Sequence, residues 1–132
     1  MYLDILECEE YFFPKLIEQY SMLGNYLQSS DYVSFENNII TINLLSYEFK
    51  SKYGVVFIDK NIRLRVKFET VSLDGDDLYF DLYLDPQGRI YSDYNSILDK
   101  NYVDILERSS VKSIDKYISE FVYNFLSKNS LI

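Results

Sequence analysis

The chain has 132 residues, with 13 Lys and Arg against 21 Asp and Glu and a net charge of −8. That length predicts one domain, residues 1–132, able to bury a core without disulfide or metal staples, and 48% apolar residues supply the material. The charge argues against nucleic acid and against an anionic membrane surface as partners; it suits a basic protein as partner, and equally suits plain solubility.

The single Cys8 excludes an internal disulfide and fits a reducing, cytoplasmic setting. No apolar run reaches the ~18 residues of a membrane-spanning helix. The first residues carry Asp4, Glu7, Glu9 and Glu10 and no basic stretch, so no signal peptide is expected. The chain has no His. The commonest general base and metal ligand is therefore missing, and Cys8 has no partner for a Cys–His dyad. No phosphate-binding or dinucleotide-binding glycine motif is present. The expectation is a protein that is not an enzyme, with no cofactor and no metal.

Residues 1–12 read two ways. Tyr2 to Leu6 could be a short strand or the start of a helix that runs into Glu9 and Glu10. Pro14 suits a first helical turn, and Leu16, Tyr20, Leu23 and Leu27 then recur on one face of a helix that ends at Gln28–Asp31. Gly24 interrupts this helix and marks a close contact.

Tyr32–Phe35 and Ile39–Leu44 read as a hairpin, with Ile40, Ile42 and Leu44 on one face. Tyr47 and Phe49 extend that edge, Lys50–Lys52 reads as a wet loop, and Val55–Ile58 as a short strand turned by Asp59–Asn61. The strongest signal follows. Ile62, Leu64, Val66 and Phe68 alternate with Arg63, Arg65, Lys67 and Glu69, the period-2 pattern of a half-buried strand. A second such run sets Leu78, Phe80, Leu82 and Leu84 against Tyr79, Asp81 and Tyr83. Asp85-Pro86-Gln87-Gly88 is a turn leading to a last short strand, Arg89–Tyr91. Tyr102, Ile105 and Leu106 suggest one or two helical turns. A closing helix has Ser113 as N-cap, Asp115 in its first turn, Lys128 near its end, and a stripe of Ile114, Ile118, Phe121 and Phe125 flanked by Tyr117 and Val122. The predicted fold class is α+β: an antiparallel sheet of five or six strands flanked by an N-terminal and a C-terminal helix.

Three clusters are candidate binding surfaces. Arg63, Arg65 and Lys67 project from one strand face and need either carboxylates beside them or an anionic ligand; Asp81, between Tyr79 and Tyr83, and Glu69 are the carboxylates at hand. Tyr79 and Tyr83 are flat anchors if this face binds a partner. Asp74, Asp76 and Asp77, with Asp85, form an acidic loop. Calcium would need more ligands at other spacing, so the choice there is between a solvated turn and a contact for a basic partner. Glu7, Glu9 and Glu10 beside Tyr11, Phe12 and Phe13 are either a solvated turn before core aromatics or an acidic, aromatic rim. The predicted partner-binding set is Asp74, Asp76, Asp77, Tyr79, Asp81, Tyr83, Asp85, Glu7, Glu9 and Glu10, facing a basic protein. A homodimer through a free strand edge or the Tyr-bearing face is the rival arrangement.

The segment from Asp77-Leu78-Tyr79-Phe80-Asp81 through Pro86-Gln87-Gly88-Arg89-Ile90-Tyr91, followed by the helix Ser113-Ile114-Asp115-Lys116-Tyr117-Ile118, resembles the small acidic immunity proteins of bacteria. One superfamily of these, related to a yeast cell-wall regulator, shows a similar strand, turn, strand and terminal helix. The resemblance carries over no individual functional residue. It implies a cytoplasmic inhibitor that occludes the active site of a toxin domain from a polymorphic or contact-dependent system, often a basic nuclease. The other inhibitory or adaptor roles open to such a chain include a phage-encoded inhibitor of a nucleic-acid enzyme.

Overall fold

The alternating run around Leu64 forms the centre of the sheet. The structure, a computed structural model, describes residues 5–71, 74–92, 96–97, 102–104 and 111–131. Seven strands among them form one antiparallel meander, each paired with the next in sequence. They are β1 Val33–Glu36, β2 Ile39–Leu44, β3 Tyr47–Ile58, β4 Asn61–Val71, β5 Asp77–Leu84, β6 Arg89–Tyr91 and β7 Val103–Asp104. Before the sheet, α1 Ile5–Glu7 continues through a π-helical stretch, Cys8–Phe12, into α2 Phe13–Leu27; after it comes α3 Val111–Lys128. The predicted α+β layout is the one observed, and β7 is an addition at the edge.

Three two-residue turns close the first hairpins: Asn37–Asn38, Leu45–Ser46 and Asp59–Lys60, each with both φ values between 52° and 66°. This backbone matches the natural twist of paired strands and keeps the connections tight.

The helices lie on one face. Leu16, Tyr20, Leu23 and Leu27 of α2 and Ile114, Tyr117, Ile118, Phe121, Val122 and Phe125 of α3 join Ile40, Ile42, Phe49, Leu64, Val66, Phe68, Phe80, Leu82 and Leu84 in one core. Its centre is aromatic. Phe49 and Phe125 meet edge to face at 4.8 Å, Phe68 stacks on Phe80 at 5.1 Å, and Phe121 reaches Phe68 at 5.4 Å. Gly24 is needed where the Phe35 ring crosses α2, since a Cβ there would stand 2.7 Å from the ring.

One polar chain crosses this core. Tyr20 Oη donates to the Asn38 carbonyl at 2.7 Å, and the Ile40 amide donates to Ser51 Oγ at 2.8 Å. Ser51 and Tyr20 meet at 2.6 Å, which leaves the serine as donor to the tyrosine oxygen. The relay ties α2 to the β1–β2 turn and to β3, and it satisfies every polar atom that it buries.

Of the two readings of the N-terminal residues, the described turns from Ile5 onward take the helical one; residues 1–4 lie outside the described residues. Several other expectations are corrected. Lys50–Lys52 is not a loop but the middle of β3, twelve residues long. Its polar sequence is explained by the pleat: Lys50 and Lys52 point outward, and Ser51 points into the core to join the relay. Tyr102 precedes a strand rather than sitting in a helical turn, and Ile105 and Leu106 lie outside the described residues. α3 begins at Val111, so Ser113 falls inside the helix rather than at its N-cap and Asp115 lies past its first turn. Finally, the far side of the sheet is not uniformly wet. Ile58, Tyr83, Tyr91 and Ile97 form a second buried cluster there, with Val56 packed against it.

Candidate partner-binding surface

The face of the sheet away from the helices carries the predicted basic row, and the register shows how the row is neutralised. Lys67 lies opposite Asp81, Arg65 opposite Tyr83 and Glu69 opposite Tyr79. Asp81 reaches diagonally to Arg65 in a two-pronged ion pair, Nε to Oδ1 and Nη2 to Oδ2, both 3.0 Å. Glu69 receives Lys67 and Lys52, each at 3.0 Å. Lys50 sits 3.5 Å from Glu48. Tyr79 takes Lys67 Nζ over its ring at 4.5 Å and Lys128 Nζ at 5.7 Å. The Asp81 hydrogen bonds hold the Arg65 guanidinium more firmly protonated than usual. Hydrogen bonds from Lys67 and then Lys52 hold the Glu69 carboxyl below the ordinary carboxylate range. The cations of this row are therefore largely answered within the sheet.

Arg63 differs. Its Nη1 donates to the Ile62 carbonyl at 2.9 Å and its guanidinium lies 5.7 Å from the Tyr91 ring centre. Its Nε is buried and meets no hydrogen-bond acceptor among the described residues. Here the row merges into the second buried cluster, so a surface position by sequence pattern is half-covered in fact.

Two predicted contact residues are not on the surface. Asp85 is 1% exposed. Its Oδ1 accepts the Gln87 and Arg89 amides, both at 2.9 Å, and its Oδ2 accepts the Tyr91 hydroxyl at 3.3 Å. The carboxylate shapes the β5–β6 turn, with Gly88 at φ +88° completing it. Burial, and next the Asp85 charge, push the Tyr91 hydroxyl above its ordinary pKa. Tyr83, at 9% exposed, belongs to the second cluster. Neither can meet a partner without the turn or the cluster opening.

Asp74, Asp76 and Asp77 are exposed at the β4–β5 connection, and Glu7, Glu9 and Glu10 are exposed on the N-terminal turns. These two acidic groups are not brought together. Gln19 of α2 lies against Gly88 at the β5–β6 turn, and α2 runs from there toward β1, where the Val33 amide bonds the Ser30 carbonyl. The N-terminal turns thus project past the β5–β6 end of the sheet, whereas Asp74–Asp77 cap the opposite end. Among the described residues, no three acidic or sulfur-bearing side chains converge on a position that could hold a metal ion.

The N-terminal turns carry a feature that composition hid. Ile5, Leu6 and Tyr11 stand 75%, 71% and 65% exposed, interleaved with the three glutamates, while Cys8 between them is buried. Lys15 Nζ lies 5.9 Å from the Tyr11 ring centre. The sequence held only part of this signal. Helical spacing carried back from Leu16 brings both Phe12 and Ile5 onto the buried face and leaves Tyr11 off it, so the pattern signals the exposure of Tyr11 but not that of Ile5. The π-helical stretch at Cys8–Phe12 is an irregularity often found where helices carry function.

A cleft of about 120 Å³ opens between β5 and α3, lined by Asp81, Leu82, Ser92, Tyr102, Glu120 and Asn124 among others. It has room for a few waters but not for a drug-sized ligand, which needs ~300 Å³ or more. No helix among the described residues is long and apolar enough to cross a membrane. No protein-family model, no curated protein and no solved structure matches the chain.

Proposed function

We propose that this protein is a non-enzymatic inhibitor that binds a basic protein domain, of the kind an immunity protein holds when it occludes a nuclease toxin in a reducing cytoplasm. One observation carries the reading: three large apolar side chains, Ile5, Leu6 and Tyr11, stand in solvent on the same turns as the exposed Glu7, Glu9 and Glu10. Exposed apolar groups ringed by like charge suit a partner interface, in which the apolar anchors supply binding energy and the carboxylates steer a cationic partner and set its orientation. The net charge of −8 acts in the same direction at long range. Asp74, Asp76 and Asp77 serve as a second, separate contact for a partner large enough to reach both ends of the sheet.

The test is capture of partners from the source cells by the tagged full chain, at low and at moderate salt. A variant with Glu7→Lys, Glu9→Lys and Glu10→Lys is run beside it. The expected result is a basic protein in stoichiometric complex, hydrolytically inactive while bound, with affinity reduced at least ~10-fold by the triple variant or by raised salt. An adaptor role appears instead if the captured protein keeps its activity. Equal capture by the triple variant, or capture of no protein, overturns the proposal.

A further inference from the structure

The second half of β3 is an open sheet edge. β2 pairs with β3 only as far as Thr41↔Lys50, with the Ile40 amide reaching Ser51 Oγ just beyond. From Tyr53 to Ile58, β3 is hydrogen-bonded to β4 on one side, and no strand among the described residues lies on the other. The turn type at Asp59–Lys60 makes Ile58↔Asn61 a pair that exchanges both hydrogen bonds. By alternation, Val56 and Gly54 aim their amides and carbonyls at β4, and those of Tyr53, Val55 and Phe57 aim outward.

Other edges of this sheet are guarded. β1 is four residues long and carries Ser34 and Glu36. Where β5 runs past β6, the Asn129 side chain donates to the Tyr79 carbonyl at 3.0 Å. The β3 edge has none of the usual protections: Tyr-Gly-Val-Val-Phe-Ile holds no charge, no proline and no bulge. Its outward-bonding residues are also its exposed apolar ones: Tyr53 and Val55 are each 39% exposed and Phe57 is 50% exposed.

We infer that this edge pairs with the same edge of a second copy, antiparallel about a two-fold axis through Val55. Because the outward-bonding residues are Tyr53, Val55 and Phe57, that register sets Val55 opposite Val55 and Tyr53 opposite Phe57 as hydrogen-bonded pairs. It joins the two sheets into one and covers the exposed apolar residues on the helix side. On the far side it sets Gly54 opposite Val56. Gly54 has an extended backbone and nothing within 4 Å of where a Cβ would stand, so no local contact requires a glycine there. It leaves a hollow bordered by Lys52, Arg65 and Lys67, and Val56 of the other copy fills it. A shift by one residue would turn the outward amides away from each other, and a two-fold pairing closes at two copies without extending into a fibre.

The test is the mass of the full chain in solution over about 1 µM to 1 mM, with amide hydrogen exchange on the same samples. A species of twice 15.7 kDa is expected as concentration rises. The Tyr53, Val55 and Phe57 amides should gain protection at least ~10-fold in step with it, and the Val56 amide, bonded to β4 in either state, should change little. Val55→Lys places two like charges at the two-fold axis, and Val55→Pro removes an outward amide where a proline is tolerated; each should raise the dissociation constant at least ~10-fold. A chain that stays monomeric throughout overturns the inference. So does a dimer whose edge amides stay unprotected, or one that both variants leave intact.

Discussion

The two faces of the sheet solve the same problem with different chemistry. The helix-covered face is mostly apolar, crossed by the Tyr20–Ser51 relay and ending in a buried Thr70, and its aromatic rings interlock with α2 and α3. The far face keeps its charges and answers them one by one, with a small aromatic cluster tucked beneath Arg63. Removing a group from the first face leaves a void or an orphaned polar atom, and removing one from the second leaves a charge that water can reach. Stability should therefore be concentrated on the covered face, leaving the far face and the N-terminal turns freer to serve binding.

The sharpest way to break this comparison is Phe125→Ala. Phe125 is fully buried and its ring meets Phe49 at 4.8 Å and Tyr47 at 5.1 Å. The expected loss is about 3–5 kcal/mol by urea unfolding. A loss below about 1 kcal/mol would mean that α3 does not anchor the core.

Next in size is the polar relay. Tyr20→Phe leaves the Asn38 carbonyl and the Ser51 hydroxyl short of a partner inside the core, which costs about 1–3 kcal/mol. The pH dependence has a definite sign. Burial raises the Tyr20 pKa above its ordinary value of about 10. The unfolded chain then loses this proton first as pH rises, so the stabilisation is complete below about pH 10 and declines as pH climbs through the folded pKa. Unfolding curves at pH 7 and pH 10.5 should converge for Tyr20→Phe relative to the parent. A variant that falls in stability as steeply as the parent would place the alkaline sensitivity elsewhere, with Tyr91 the next candidate because its pKa is raised as well.

Most of the scaffold was legible because period-2 and period-3.6 patterns report burial directly. β4, β5, α2 and α3 carry clear apolar stripes, broken in α2 only by Gly24, and those stripes mark the faces that are buried. β3 was divided in two for a physical reason. Its inward Ser51 looks like loop material because the sequence cannot show Tyr20 waiting across the core, and the turn before it, Leu45–Ser46, takes positive φ without glycine or asparagine. The candidate site was less legible. Asp85 and Asp74 are the same residue type eleven positions apart, yet one is buried holding a turn and the other is in solvent. Only the backbone amides converging on Asp85 tell them apart. The free edge of β3 could not be seen at all until the register showed where β2 stops.

The smallest expected effect is the most informative about the far face. Arg65 and Asp81 meet in good geometry, but the Arg65 side chain keeps 38% of its exposure, so solvent screens the pair. A double-mutant cycle with Arg65→Ala and Asp81→Ala should give a coupling of about 0.2–1 kcal/mol, falling in 1 M salt. Asp81 was expected to be a partner contact, and its carboxylate is already engaged within the sheet. If a partner competes for it, partner affinity should rise in Arg65→Ala, which frees the carboxylate. If Asp81 is structural, affinity should stay level while only stability falls. A coupling above about 2 kcal/mol would show that the far face is as dry as the covered one, and the contrast between the two faces would then be one of composition rather than of energetics.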